Sequence, residues 1–333
     1  MLFEAEMSEK RFEVYAPVII PTLCRYNHFK RCIDSLSKCT GAEFTDVYIG
    51  LDYPASEEHW DGYQKIRKYV AEVGGFNNLF VFIRERNYGV KRNAGDLKEL
   101  VKKKSERYIF SEDDNEFSPN FLEYMNDGLT RYKDNPNVIR ICGCLMPWNA
   151  DYNKIMGNWN YNAFPAMDFN ASGYGSWFDK VPVAPYTKDM VLHSWKLTYK
   201  AFQKGYCSAI SRMLYQLKKE TQLTDVCLRL YCAFNRKYCI FPTISKVKNW
   251  GYDGSGINSD NNPHLIDLQV LDTANEFCLD DFEIKDYPEV KSFVRQMYDI
   301  NTKIRLIIMI GYIFYRITGM RLRDFLELIR KKR

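Results

Sequence analysis

Three consecutive carboxylates, Glu112-Asp113-Asp114, are the strongest chemical signal in the chain. Gathering like charges is costly unless a cation neutralises them. Hard divalent ions take carboxylate oxygens together with substrate phosphates. One reading is therefore an Mn2+ or Mg2+ ion joining Asp114 to a diphosphate. The other is structural: Ser118-Pro119 can open a helix, and acids near a helix start complement its dipole. The run Asn87-Tyr88-Gly89-Val90-Lys91-Arg92-Asn93-Ala94-Gly95 places Lys91 and Arg92 at a helix start. Cations are unfavourable there unless they meet a phosphate or ribose, or simply stay solvated. In Gly173-Tyr174-Gly175-Ser176-Trp177-Phe178, glycines alternate with aromatics, as a flexible wall against a sugar or as a packed turn. Thr224-Asp225 opens an apolar helical stretch, with Asp225 either a general base or an ordinary first-turn acid.

The elements that must position these residues follow from periodicity. Val18-Ile19-Ile20, residues 47–51, 79–83, 108–110 and 138–142 read as strands. Between them, Phe29/Ile33/Leu36, Ile66/Val70/Val73, Ala94/Leu97/Val101 and Leu122/Met125/Leu129/Tyr132 mark apolar helix faces. Strands alternating with helices imply right-handed crossovers and a mainly parallel sheet, which binds ligands beyond the carboxyl ends of its strands. Pro21-Thr22-Leu23-Cys24-Arg25, Asp52, the Lys91-Arg92 loop and the acidic triplet all follow strands. Neither GxGxxG nor a P-loop follows the first strand, so any phosphates must be held another way. Residues 145–210, rich in Asn, Tyr, Trp and Gly, read as long loops. Residues 224–234 read as a helix, 238–244 as a strand, 246–262 as a polar loop and 290–298 as the start of a helical region.

Taken in order, PTLCR, Asp52, NYGVKRNAG, EDD, GYGSWF and the late Thr-Asp resemble the GT-A glycosyltransferases. The front half is similar to family 2 enzymes, with Lys91 standing where that family often has Ala, and the EDD and PTISKV segments are similar to N-acetylglucosaminyltransferase I. The resemblance spans roughly residues 16–258. It implies an α/β, Rossmann-like GT-A fold with a C-terminal helical extension. An arm would cover 1–13, and a transferase domain 14–288, with a nucleotide-sugar half (14–145) and an acceptor half (146–288). Amphipathic basic helices would cover 289–333. It further implies an inverting, metal-dependent transfer from a nucleotide-diphosphate sugar, with UDP the expected nucleotide, to a hydroxyl of a glycan or glycolipid in bacterial surface polysaccharide synthesis. Thr22, Arg25 and Asp52 would contact the nucleoside, Lys91 or Arg92 the ribose–diphosphate, Glu112 the donor sugar, and Asp113 the ribose or sugar. Asp114 would hold Mn2+ or Mg2+, Gly175 and Trp177 would line the acceptor side, and Asp225 would be the base. The 254–256 Gly-Ser-Gly turn would close over the phosphates. The alternatives are a sugar nucleotidyltransferase, against which the missing Gly-rich loop counts, and a non-catalytic carbohydrate- or membrane-binding protein.

Composition sets the outer bounds. The 333 residues are 46% hydrophobic and 27% charged, which excludes disordered and collagen-like classes. The net charge of +5 is unevenly placed. Residues 303–333 hold nine basic and two acidic side chains, or +7, which leaves −2 for the remainder. A near-neutral body with a basic tail argues against a nucleic-acid binder and for an anionic membrane surface at one end, or for helices packed on the domain or in a dimer. No apolar segment marks the first 13 residues as a secretory signal, and no apolar run approaches the about 20 residues of a spanning helix. The expected location is the cytoplasm, at the inner face of the cell membrane, and the ten cysteines are expected to be reduced.

Overall fold

The computed structural model describes residues 11–145, 156–180, 186–217, 223–256, 261–298, 300–324 and 327. The arm up to residue 10, the apolar positions Phe325, Leu326 and Ile329, and the basic end 330–333 lie outside them.

Four parallel strands form the front of the sheet: β1 (Val18–Thr22), β2 (Asp46–Leu51), β3 (Asn78–Ile83) and β4 (Arg107–Phe110). Helices α1 (Tyr26–Leu36), α2 (Trp60–Tyr69) and α3 (Gly89–Lys102) make the crossovers. All five residues of β1 are buried, as a strand covered on both faces requires. Val18 and Ile20 point into one core with Phe29, Ile33 and Leu36 of α1. Ile19 points into the opposite core with Leu97 and Val101 of α3. The two-residue alternation of a strand thus places one helix layer on each side.

Beyond β4, helix α4 (Phe121–Arg131) leads to β6 (Val138–Cys142), and the region expected as loops adds further strands. These are β7 (Ala163–Ala166) and β8 (Tyr174–Trp177), followed by helices α5 (Lys188–His193), α6 (Trp195–Gln203) and α7 (Cys207–Tyr215). Next come α8 (Thr224–Asn235) and β9 (Tyr238–Pro242). The eight-stranded order is β3-β2-β1-β4-β8-β6-β9-β7, with β8 antiparallel to both neighbours. The architecture is mixed α/β with a mainly parallel central sheet and C-terminal helices, the fold class the sequence implies. The last elements are α9 (His264–Asp267), α10 (Pro288–Met297) and α11 (Thr302–Thr318). Helices α5 to α8 and α11 share a third core around Ile210, Leu230 and Tyr312.

The segment expected as a flexible sugar wall is instead β8. All four of its residues are buried, and Gly175 pairs with Ile109 on one side and Ile141 on the other. A Cβ on Gly175 would meet Leu129 Cδ1 of α4 at 3.0 Å, so the glycine serves helix-on-sheet packing. Trp177 pairs with Arg107, the first residue of β4, and is buried in the core with Lys180 over its ring. Because β8 runs against β4, Trp177 lies at the rim away from the acidic triplet.

Candidate functional site

A short two-stranded sheet fixes the triplet. Directly after it, β5 (Asn115–Phe117) pairs antiparallel with β10 (Val247–Asn249), bringing a segment expected to be a loop against the end of β4. Asn249 is the pin. Its Nδ2 donates to Asp114 Oδ1 and to Asn115 Oδ1, each at 3.0 Å, and its Oδ1 accepts from Gly251 N at 2.9 Å. Gln269 fixes the Asn249 backbone from both sides. At Gly251 a Cβ would stand 2.3 Å from Asp114 Oδ2, so only glycine lets this turn approach the carboxylate.

On the other side stands the turn after β1. Thr22 Oγ1 donates to Asp113 Oδ2 at 2.8 Å. Arg25 donates to Asp113 and reaches Asp114 Oδ2 at 2.8 Å. Asp113 and Asp114 are 6% and 7% exposed, and Arg25 is the cation that makes their burial tolerable. Glu112 is the exposed member of the triplet. Crowding by surrounding protein, then the charges of Asp114, Asp113 and Asp225 against that of Arg25, push its carboxyl above the usual range. Burial also raises Asp114, opposed by Arg25 and reinforced by Asp113.

Asp52 is buried and acts as a clamp. Its Oδ1 accepts from Tyr53 N at 2.9 Å and from Tyr88 N at 2.8 Å, and its own N–H bonds to Thr22 O. This couples the turn after β1 to the loop that opens α3. Lys91 and Arg92 sit exposed in the first turn of α3, with Arg92, Arg84 and Arg86 all over the Tyr88 ring. Asn93, from the same run, is buried and structural: it donates to Gly50 O at 2.7 Å and accepts from Arg84 Nε.

Asp225 is the second residue of α8, half-buried, with Oδ2 3.3 Å from Arg212 of α7. Leu223, just before this helix, takes a left-handed φ of +47°, unusual for a branched residue. Asp225 acts electrostatically on Glu112, and Arg212 acts on Tyr252, which Glu112 and Asp114 also influence. The triplet, Tyr252 and Asp225 thus form one electrostatically connected region. Adjoining it, an open groove of about 530 Å3 is lined by Arg25, His28, Arg31, Lys65, Trp250 and Asp253. His28 Nε2 meets Asp253 Oδ2 at 2.9 Å.

Thr22, Arg25, Asp113, Asp114 and Glu112 are thus gathered and Asp52 supports them, while Lys91 and Arg92 stand exposed on the α3 turn whose Tyr88 N–H Asp52 holds. Gly175 and Trp177 are not part of this site. Arg212, Asn249, Gly251 and Tyr252 belong to it but went unread in the sequence, because each is defined by partners distant in the chain.

The donor set is hard oxygen carrying surplus negative charge, which suits a divalent cation. Among the described residues no group of three or more His, Cys, Asp or Glu is arranged to enclose one. Both oxygens of Asp114 already have partners, Oδ1 with Asn249 and Oδ2 with Arg25.

The molecule is, then, a mixed α/β protein with an acidic, arginine-backed cleft at the carboxyl ends of parallel strands. No protein-family model matches the chain, and no curated protein matches it. Among solved structures it is similar to S. aureus TarS, at 20% identity over 36% of this chain and 20% of that one, with a TM-score of 0.27. It is also similar to the mannosyltransferase PcManGT from Pyrobaculum calidifontis in complex with GDP-Man and Mn2+, at 9% identity over 67% of this chain and 69% of that one, with a TM-score of 0.38. The chain covers a fifth of the TarS chain's length. At such identities and scores neither structure assigns a substrate or residue role here, and nothing in the comparisons supports the likeness to N-acetylglucosaminyltransferase I.

Proposed function

We propose that this protein is an inverting glycosyltransferase of GT-A type, using a nucleotide-diphosphate sugar, with UDP the favoured nucleotide, and a glycan or glycolipid hydroxyl as acceptor. The observation that supports this reading is the strand-end triplet backed by Arg25, with the carboxylate Asp225 near enough to act electrostatically on Glu112. A diphosphate is repelled by carboxylates, so the cleft needs cations. Arg25 and the Arg92 loop supply fixed ones. A divalent ion held by Asp114 would supply Lewis-acid stabilisation of the leaving diphosphate.

The chain's own residues then divide the work. Thr22 and Arg25 hold Asp113 still, so that its carboxylate presents one geometry to the ribose or sugar. Glu112, the exposed member of the triplet, faces the donor sugar. Asp225 accepts the proton of the acceptor hydroxyl as that oxygen bonds to the anomeric carbon. The bond from this carbon to the diphosphate oxygen breaks, and its electron pair leaves with the phosphate. Attack opposite the leaving group inverts the carbon.

The test is a panel of nucleotide sugars with and without Mn2+, read by thermal stabilisation and by nucleotide release. One donor should raise the melting temperature, since a ligand bound only to the folded state stabilises it. Asp225→Asn should lower turnover about 100-fold or more while keeping the donor-induced stabilisation. If no nucleotide sugar stabilises the protein, or the asparagine variant keeps full turnover, the reading is wrong.

A further inference from the structure

Helix α11 sits on the third core through one face and leaves an opposite apolar face exposed. Ile308 and Tyr312 point inward, with the Tyr312 ring 5.1 Å from that of Trp195 at the head of α6. Leu306, Ile310, Ile313 and Ile317 recur at helical spacing on the outside, with Ile304, Ile307 and Met309 beside them, and all are exposed. Ile307 and Ile317 are 61% and 77% exposed. Trp195, half exposed, lies along one edge of this surface, with Arg316 over its ring. Water-exposed apolar side chains gathered on one helix mark a contact surface.

Charge selects the occupant. From residue 303 to 333 basic side chains outnumber acidic ones nine to two, and both acids pair locally, Asp324 with Arg321 and Glu327 with Arg323. A symmetric pairing of two copies through this face would bring two such cationic rims together. An anionic lipid surface complements them, and tryptophan at the edge suits the headgroup layer. Among the described residues no helix is long and apolar enough to cross a membrane, and α11, 17 residues or about 26 Å long, is suited to lying in the interface plane.

We propose that the outer face of α11 inserts into the surface of an anionic phospholipid bilayer. The apolar stripe enters the acyl boundary while Lys303 and Arg305 meet phosphate headgroups. This docking is independent of the glycosyl-transfer reading.

The test is co-sedimentation of the full chain with phosphatidylcholine vesicles, with and without phosphatidylglycerol. Binding should require the anionic lipid and weaken as salt is raised. Ile310→Glu combined with Ile317→Glu should reduce it about tenfold or more. Both side chains are exposed, so the melting temperature should hold, and any donor turnover in solution should be unchanged. Charge reversal at Lys303 gives a second variant that spares the apolar stripe, and it should also weaken binding. Vesicle binding that ignores both variants, or no binding at all, would overturn the proposal. So would a stable dimer by light scattering that dissociates with the Ile310/Ile317 change.

Discussion

Asp114 and Asp225 are held in surroundings of different construction. Asp114 is 7% exposed and held by Asn249, Arg25 and the close turn at Gly251. Asp225 is half-buried on the first turn of a helix, and its partner Arg212 has a side chain 44% exposed. A buried carboxylate with several partners keeps one geometry, whereas one held by an exposed arginine can exchange partners at little cost. That difference suits the proposed roles. A group that organises a diphosphate benefits from being fixed, and a base must release one partner to take a proton from another.

The strongest way to break this contrast is to remove the cation beneath the triplet. Arg25→Ala would leave Asp113 and Asp114 buried without their counter-charge, a loss of about 3 kcal/mol or more. Urea unfolding should show it as a lowered midpoint, partly restored in Arg25→Lys. A midpoint equal to wild type would mean that the triplet is not held as rigidly as the structure implies. A narrower probe is Gly251→Ala. Its methyl group would displace the Asp114 carboxylate without touching Asp225. Turnover should fall about tenfold or more, because small misplacements in a reacting cleft are expensive, and donor-induced stabilisation should fall with it. For Asp225→Asn the two readouts should separate, with turnover lost and donor binding kept. Parallel behaviour of the two variants would erase the division between a binding wall and a base wall.

Much of the binding wall is legible in the sequence because it is local. Each strand of the parallel front is a short apolar run. Sheet chemistry then dictates that Thr22, Arg25, Asp52 and the triplet, all just past strand ends, share one rim. The base wall is less legible. Arg212 lies mid-helix, and its partner is 13 residues away. Asn249 reaches Asp114 across 135 positions, and only a three-residue strand pairing reveals it. The run 173–178 misleads because glycine and aromatics suit an open loop as well as a thin strand. What decides is the packing of Gly175 beneath Leu129, a contact no local pattern encodes. Four-residue strands such as β7 and β8 carry too few positions for an alternation to show.

The smallest effect sharpens the contrast most directly. Arg212→Ala removes the ion pair of Asp225 found among the described residues, leaving α8 and its core residues Val226, Leu228 and Leu230 in place. An exposed pair of this kind contributes at most about 1 kcal/mol, so stability should barely change. If Arg212 only decorates the surface, turnover will match wild type. If it holds Asp225 toward the acceptor, kcat should fall about two- to fivefold with the donor KM unchanged, since the triplet proposed to bind donor is untouched. Arg212→Lys should recover part of the loss, because it keeps the charge but not the planar fork. A rise in donor KM instead would place Arg212 on the diphosphate. The two walls would then be one binding surface rather than a fixed wall and a working one.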